Sequence, residues 1–335
     1  MSALAGVALE HPVMNAAGTC KSVEDVDAFA RSAVAAIVVG SITRQPRTGN
    51  AGNVYWPGRV CSINALGLPN RGLDYYGAHL PGMVERAHAA GKPLIVSVAG
   101  FDVEEYQEIA EVVAQAGVDL IELNLACPNV WDGGAQKRIA CFDPGQTAAI
   151  CTAVGDALLA RAGADAAGRV PYGVKISPFS DPAALAELAA VLTELAGRPG
   201  GPRFVTAVNT FPNALVVDVD HRPVVDVELA GMSGPALKPV GLGQVRQLHR
   251  LLPDTVDIVG VGGIGEGRDV TEYLRAGAAA VQAATAFWNR GEDPSVFGSI
   301  LAGWIDTAGS DTAGSGTAGI GIDAGGVGLV DPAVR

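Results

Sequence analysis

Eight short, nearly continuous apolar runs recur along the chain: VMNAA (13–17), AIVVG (36–40), LIVSVA (94–99), LIELNL (120–125), YGVKI (172–176), FVTAVN (204–209), DIVGVG (257–262) and AAVQAA (279–284). A strand covered on both faces loses the in-out alternation of a half-exposed one, so each run reads as a parallel strand. Helix punctuation lies between them. Ser22 is placed to cap a helix over 23–31, and Asp102 one over 103–116 with Gly117 as its left-handed C-terminal residue. Asp181 followed by Pro182 opens another. Eight strand–helix units in series predict an α/β fold, the TIM (β/α)8 barrel. An open doubly wound sheet is the competing arrangement, but the strand series has no internal break dividing it into two halves.

Three connections exceed what closing a barrel requires: 41–75 after the second run, 126–144 after the fourth and 210–239 after the sixth. All three follow carboxyl ends of strands, the rim where barrel enzymes carry their chemistry. The third contains LVVDVD-HRP-VVDVEL, which predicts an inserted hairpin over 215–229. From Thr307 the chain becomes TAGSDTAGSGTAGIGIDAGG, with an imperfect TAGS repeat and little to bury. The expected organisation is a barrel over 1–305 followed by a flexible Gly/Ala/Ser/Thr-rich tail over 306–335.

Composition narrows the function. The 335 residues are 49% hydrophobic and carry 35 acidic against 23 basic side chains, a formal charge of −12. Such a chain repels polyphosphate backbones, so nucleic acid is an unexpected partner. The longest apolar stretches, such as AVAAIVV at 33–39, fall far short of the roughly 18 residues that suggest a membrane span. The first residues lack a basic segment followed by an apolar one, and the five cysteines (20, 61, 127, 141, 151) form no CxxC pair. A cytoplasmic, reduced protein without metal ligation is expected.

Candidate chemistry sits at the strand ends. VGVGGIGEGRD (259–269) and QAATAFWNRG (282–291) supply Gly262, Gly263 and Thr285, small and hydroxyl residues suited to close backbone approach by a phosphate. IELNLACPNV places Asn124, Cys127 and Asn129 within six residues. Amides can satisfy the ring NH and carbonyl groups of a polar heterocycle, and a cysteine can serve as general base. SINALGLPNRG adds Asn64, and VNTFPN adds Asn209 and Thr210, so that four amides would face one pocket. Lys175, ending the fifth run, is a costly interior charge unless it meets an anion or an electron-rich ring. Cys20, Cys61, Cys141 and Cys151 read as packing residues.

Taken together, MNAAG, SINALGLPNRGLDYY, ELNLACPNV, GVKISP, VNTFPN, SGPALKP and GVGGIGEGRDV resemble, in order from about Val7 to Gly291, the class 1 dihydroorotate dehydrogenase family. The resemblance implies an FMN enzyme that oxidises dihydroorotate to orotate, the redox step of pyrimidine biosynthesis. By the same resemblance Cys127 is the general base that removes the C5 proton while C6 gives hydride to the flavin. Asn64, Leu66, Gly67, Leu68, Asn124, Asn129, Asn209 and Thr210 match the substrate site. Ala17, Gly18, Ser41, Asn124, Lys175, Val208, Gly234, Gly262, Gly263, Ala284 and Thr285 match the FMN site, with Lys175 beside the flavin N1 side. A soluble homodimer using fumarate is the implied form, with a separate electron-transfer subunit as the alternative.

Three positions depart from the class 1 pattern. Gly40 stands where a lysine usually precedes the serine of the second strand end, and VVGSITRQPRTGN is more similar to class 2. Class 2 carries its lysine after the first strand, where this chain has Lys21 in AAGTCKSVED. Ala284 replaces a usual glycine, and the loop WDGGAQKRIACFDP after Cys127 is atypical. These departures keep two alternatives in view: a flavin oxidoreductase acting on another dihydropyrimidine or cyclic amide, and a redox-silent phosphate-binding barrel.

Overall fold

The computed structural model describes residues 2–127, 131–132, 135–136, 138–162 and 169–313. All eight apolar runs are strands: β1 (Val13–Asn15), β2 (Ile37–Ile42), β3 (Leu94–Val98), β4 (Leu120–Asn124), β5 (Tyr172–Ile176), β6 (Phe204–Ala207), β7 (Asp257–Val261) and β8 (Ala280–Ala283). They pair in parallel in the order β1-β8-β7-β6-β5-β4-β3-β2. The seam between β1 and β2 closes through a side chain. The Asn15 amide donates to the Val38 carbonyl at 2.8 Å and accepts from the Val38 N–H at 2.9 Å, and the Ala35 N–H donates to the Val13 carbonyl. The TIM barrel expected from periodicity is the observed architecture.

Helices α1 (Val23–Ala30), α2 (Gly72–Ala89), α3 (Val103–Gln115), α4 (Pro144–Ala162), α5 (Pro182–Ala196), α6 (Lys238–Leu251), α7 (Gly267–Ala276) and α8 (Val296–Ala313) surround the strands. Ser22 and Asp25 form a reciprocal capping box on α1, while Asp102 and Asp181 cap α3 and α5. Outward-facing strand residues such as Ile121, Val174 and Val96 pack with Ile109, Val113, Leu80 and Leu188 of the helices in one continuous core. Each such fully buried aliphatic side chain contributes about 1.5–3 kcal/mol.

The barrel interior is layered. A hairpin of Ser2–Leu4 and Val7–Leu9, which the sequence pattern did not announce, plugs the lower end with Leu4 and Leu9. There they join Met14, Val38, Ile95, Leu120, Phe204, Val259 and Ala280 in an apolar floor. Two residues further along their strands, on the same inward face, stand Ser97, Glu122, Thr206 and Gln282, with Lys175 level with Thr206. The next step up brings Asn124, Val208 and Ala284 to the rim.

The long connections after β2 and β6 combine into one small antiparallel sheet over that rim, ordered Phe211–Ala214, Ala230–Ser233, Ser62–Asn64, Tyr55–Trp56. The hairpin expected over 215–229 is present in its inner part only, where the Val224 N–H donates to the Val216 carbonyl and the Asp218 N–H to the Arg222 carbonyl. Its flanks hold the strands, while the segment itself has a single antiparallel bridge, Val217 with Pro223. Asp218 closes the turn by accepting from the N–H groups of Asp220 and Arg222, and Leu215, Val217 and Val219 face outward without a second layer to cover them. Helix α8 runs through Ala313, past position 306, and residues 314–335 lie outside the described residues. Among the described residues no helix is long and apolar enough to cross a membrane.

Candidate active site

A cavity of about 810 Å³ opens at the carboxyl ends of the strands beneath the side sheet and joins a second of about 480 Å³ near β7 and β8. Seven residues, including Lys175, Asn209, Thr210 and Thr285, line both, so the two form one cleft. The larger part is bounded by Ala17, Gly18, Lys21, Ser41, Asn64, Leu66, Gly67, Leu68, Asn124, Cys127 and Ala284. The smaller holds Val208, Gly262 and Gly263. Gly234 lines neither part but lies next to Thr285: a Cβ there would sit 3.3 Å from the Ser62 N–H nitrogen and 3.5 Å from Thr285 Cγ2. Asn129 lies outside the described residues.

Buried hydrogen bonds fix the polar wall. The hydroxyls of Ser97 and Ser41 lie 2.9 Å apart, the Asn124 amide donates to Ser41 Oγ at 2.9 Å, and the Asn209 amide donates to Asn124 Oδ1 at 3.1 Å. The Thr210 N–H holds the Asn209 carbonyl oxygen at 2.8 Å, and the Tyr106 hydroxyl donates to the Asn124 backbone carbonyl at 2.7 Å. Both amide orientations are therefore determined, and each nitrogen retains a second hydrogen. Asn64 is placed by the side sheet, in register with Gly231 on one side and Tyr55 on the other. Its loop is tied down by Asn50, which donates to the Ala65 carbonyl, by Arg47 to Gly67, and by Asn70, which bridges Leu68 and Thr43.

At the glycine-rich end, Gly262 and Gly263 have φ of +128° and +67°, conformations in which a side chain is strained. Thr285 donates to Ser233 Oγ at 3.1 Å, which in turn donates to the Ser62 carbonyl at 3.3 Å. At the floor of the cleft, Lys175 is 4% exposed and its Nζ lies 3.6 Å from Glu122 Oε1. The interior lysine has thus met its anion inside the barrel.

The cysteines divide by environment. Cys127 is half-buried and lines the cleft. Cys20 is fully buried and its thiol is pushed well up by burial, while burial pushes Cys141 and Cys151 up to about 12. Those three cannot form thiolate near neutral pH. Cys61 is half-buried and lies outside the cleft lining.

Gly40 has φ of +108°, and a Cβ there would collide with the Ser97 carbonyl oxygen. The second strand end is therefore closed to a lysine. Lys21 instead lines the cleft, its Nζ 5.9 Å from the Trp288 ring centre, with its pKa lowered chiefly by burial. Sequence patterns missed Tyr55, Ser233, Trp288 and Gln282, which complete the lining, and Ser97 and Glu122 behind it. Ser97, Glu122 and Gln282 did carry a signal, since each is a polar residue flanked on both sides by apolar ones within a strand.

Comparison with known proteins agrees with this geometry. The family profile "Dihydroorotate dehydrogenase" matches residues 1–305. A Trypanosoma cruzi dihydroorotate dehydrogenase (fumarate) is 35% identical over 297 residues, covering 86% of each chain. A Lacticaseibacillus paracasei dihydroorotate dehydrogenase A (fumarate) is 32% identical, covering 89% of this chain and 96% of that one. The catalytic subunit of a Desulforudis audaxviator dihydroorotate dehydrogenase B (NAD(+)) is also 32% identical, covering 85% of each. The crystal structure of an Eimeria tenella DHODH in complex with ferulenol superposes with a TM-score of 0.77 at 24% identity, covering 93% of this chain and 85% of that one, which supports the shared fold. With its barrel, rim cleft and nearly full-length match, the chain belongs to the dihydroorotate dehydrogenase family, in its class 1 branch.

Proposed function

We propose that the chain oxidises dihydroorotate to orotate, the redox step of pyrimidine biosynthesis, with FMN as the flavin. The observation that carries this reading is one cleft containing Cys127, the linked amides Asn124 and Asn209, and Lys175. A phosphate-binding barrel without redox chemistry would need only the glycine corner.

The donor set fits FMN. Ser41, Asn124 and Lys175 offer hydroxyl, amide and ammonium donors to a polar heterocycle. Ala17, Gly18 and Val208 supply small or apolar wall. Gly262, Gly263, Ala284 and Thr285 form a narrow, glycine-rich end suited to a phosphate, with Gly234 packed behind Thr285. When bound, the flavin supplies a hydride acceptor for C6 of the substrate.

The remaining steps belong to this chain. Cys127 Sγ takes the C5 proton, and the other cysteines are withdrawn from that role by burial or position. Asn64, Asn124, Asn129, Asn209 and Thr210 hold the substrate ring and carboxylate, with Asn124 and Asn209 pre-aligned by Ser41 and Thr210. Leu66, Gly67 and Leu68 form the apolar side of the same site. Lys21 supplies the cation that Gly40 cannot carry.

We infer a cytoplasmic homodimer that returns its electrons to fumarate. Exposed Phe211 on the side sheet, with Leu215 and Leu229 on the segment between its strands, supports self-association. Relatives named for NAD make an electron-transfer subunit the alternative partner. Anaerobic addition of dihydroorotate to the FMN-loaded protein is the test: bleaching of the flavin, followed by reoxidation with fumarate, is the expected result. A flavin bleached by dihydrouracil and not by dihydroorotate would move the substrate to another dihydropyrimidine, and a chain that takes up no FMN would overturn the redox reading.

A further inference from the structure

The layer beneath the cleft carries more polar groups than a barrel interior requires. Glu122 is 0% exposed, and Gln282 and Thr206 are buried beside it in the same inward-facing tier. Glu122 Oε2 accepts from the Gln282 amide nitrogen at 3.2 Å, across the barrel from β8. Its other oxygen, Oε1, has no hydrogen-bond partner among the described residues and lies 3.6 Å from Lys175 Nζ. That separation is an ion pair without a hydrogen bond. The ammonium thus keeps its donors for the cleft above while its charge is balanced from below.

We propose that Glu122 is a positioning residue that fixes and compensates the Lys175 ammonium, and through it lowers the reduction potential of the bound flavin. The assignment rests on the reading that FMN occupies the cleft with Lys175 on its N1 side. A buried ion pair is costly to assemble, and a Lys175 facing the cleft alone would draw negative charge onto the flavin more strongly than a paired one. Gln282 locks the carboxylate against rotation, so that its distance to the ammonium is set by three strands rather than by side-chain mobility. Glu122 has no exposure to the cleft lining and touches no reacting atom; its action passes entirely through Lys175.

Sulfite reports this charge directly. It donates its electron pair to flavin N5, forming an N–S bond, and the negative charge moves to the N1–C2 carbonyl side of the ring. The test uses FMN-loaded wild type, Glu122→Gln, Glu122→Asp and, should the glutamine variant not fold, Glu122→Met. Sulfite affinity and the two-electron potential are measured for each. Glu122→Gln or Glu122→Met should bind sulfite about tenfold more tightly and raise the potential by about 30 mV, the equivalent of a tenfold change in a two-electron equilibrium. Glu122→Asp keeps the charge and should stay near wild type. Unchanged sulfite affinity and potential in FMN-loaded Glu122→Gln would overturn the assignment, as would equal shifts in the glutamine and aspartate variants, which would make packing the cause. A wild-type chain that takes up no FMN would overturn the flavin reading and this assignment together, whereas FMN-loaded variants indifferent to residue 122 overturn this assignment alone.

Discussion

Gly40→Ala isolates the reason the second strand end carries no side chain. At φ of +108° an alanine pays backbone strain of about 1–3 kcal/mol. Its Cβ would also collide with the Ser97 carbonyl oxygen and lie 2.9 Å from the Ile42 nitrogen, both backbone atoms of paired strands that cannot swing aside. Overpacking of this kind costs about 1–3 kcal/mol, so the expected total loss is roughly 2–6 kcal/mol. Gly117→Ala is the internal control, because its φ is +80° with open space around the site, and it should lose the strain alone. Urea unfolding of the two variants beside wild type gives the difference, with flavin content and a pair of spectroscopic probes verifying a single transition. Gly40→Ala should also perturb the site, since Ser41 and Ser97 anchor the Asn124 amide. A Gly40→Ala no less stable than Gly117→Ala would refute the steric explanation and reopen position 40 to a lysine.

Further outcomes follow from other parts of the molecule. Asn15→Ala leaves the fully buried Val38 N–H and carbonyl without their partners and opens the β1–β2 seam, at about 1–3 kcal/mol per unsatisfied group; urea unfolding and amide exchange at Val38 should both show the loss. Lys21→Ala should weaken dihydroorotate binding in anaerobic titration while leaving the fold intact, and unchanged flavin content and substrate kinetics would remove Lys21 from the site. Cys141 and Cys151, held up to about 12 in the folded chain, ionise in the unfolded chain first. The unfolded state then binds fewer protons between pH 9 and 12, so stability is intact below about 9 and falls as pH rises toward 12. Cys151→Ala should show a shallower alkaline decline in unfolding free energy than wild type.

The barrel strands were legible because burial on both faces leaves continuous apolar runs, and all eight observed strands fall within them or within two residues of their ends. The side sheet was not, since its strands are two to four residues long and draw on two connections separated by more than a hundred residues. The N-terminal hairpin escaped for the same reason of length. At the site, Asn64, Asn124, Asn209 and Cys127 were readable as amides and a thiol at strand ends, and the structure gathers them in one cleft. Tyr55 and Trp288 were not, because an aromatic in a two-residue strand or a short helix has no periodic signature. The partner of Lys175 was unreadable for a different reason: Glu122 is visible as a lone charge in LIELNL, but only barrel closure brings β4 and β5 side by side and Gln282 across from them.

The reaction hinges on Cys127 as the base, and single-turnover reduction of the bound flavin in Cys127→Ser and Cys127→Ala tests this most directly. Mixing FMN-loaded protein anaerobically with dihydroorotate in a stopped-flow instrument separates substrate binding from the chemical step. General-base catalysis contributes about 10²- to 10⁴-fold, so flavin reduction should slow by that factor while the apparent substrate affinity changes little. Reduction of the flavin at the wild-type rate in Cys127→Ala would contradict the assignment.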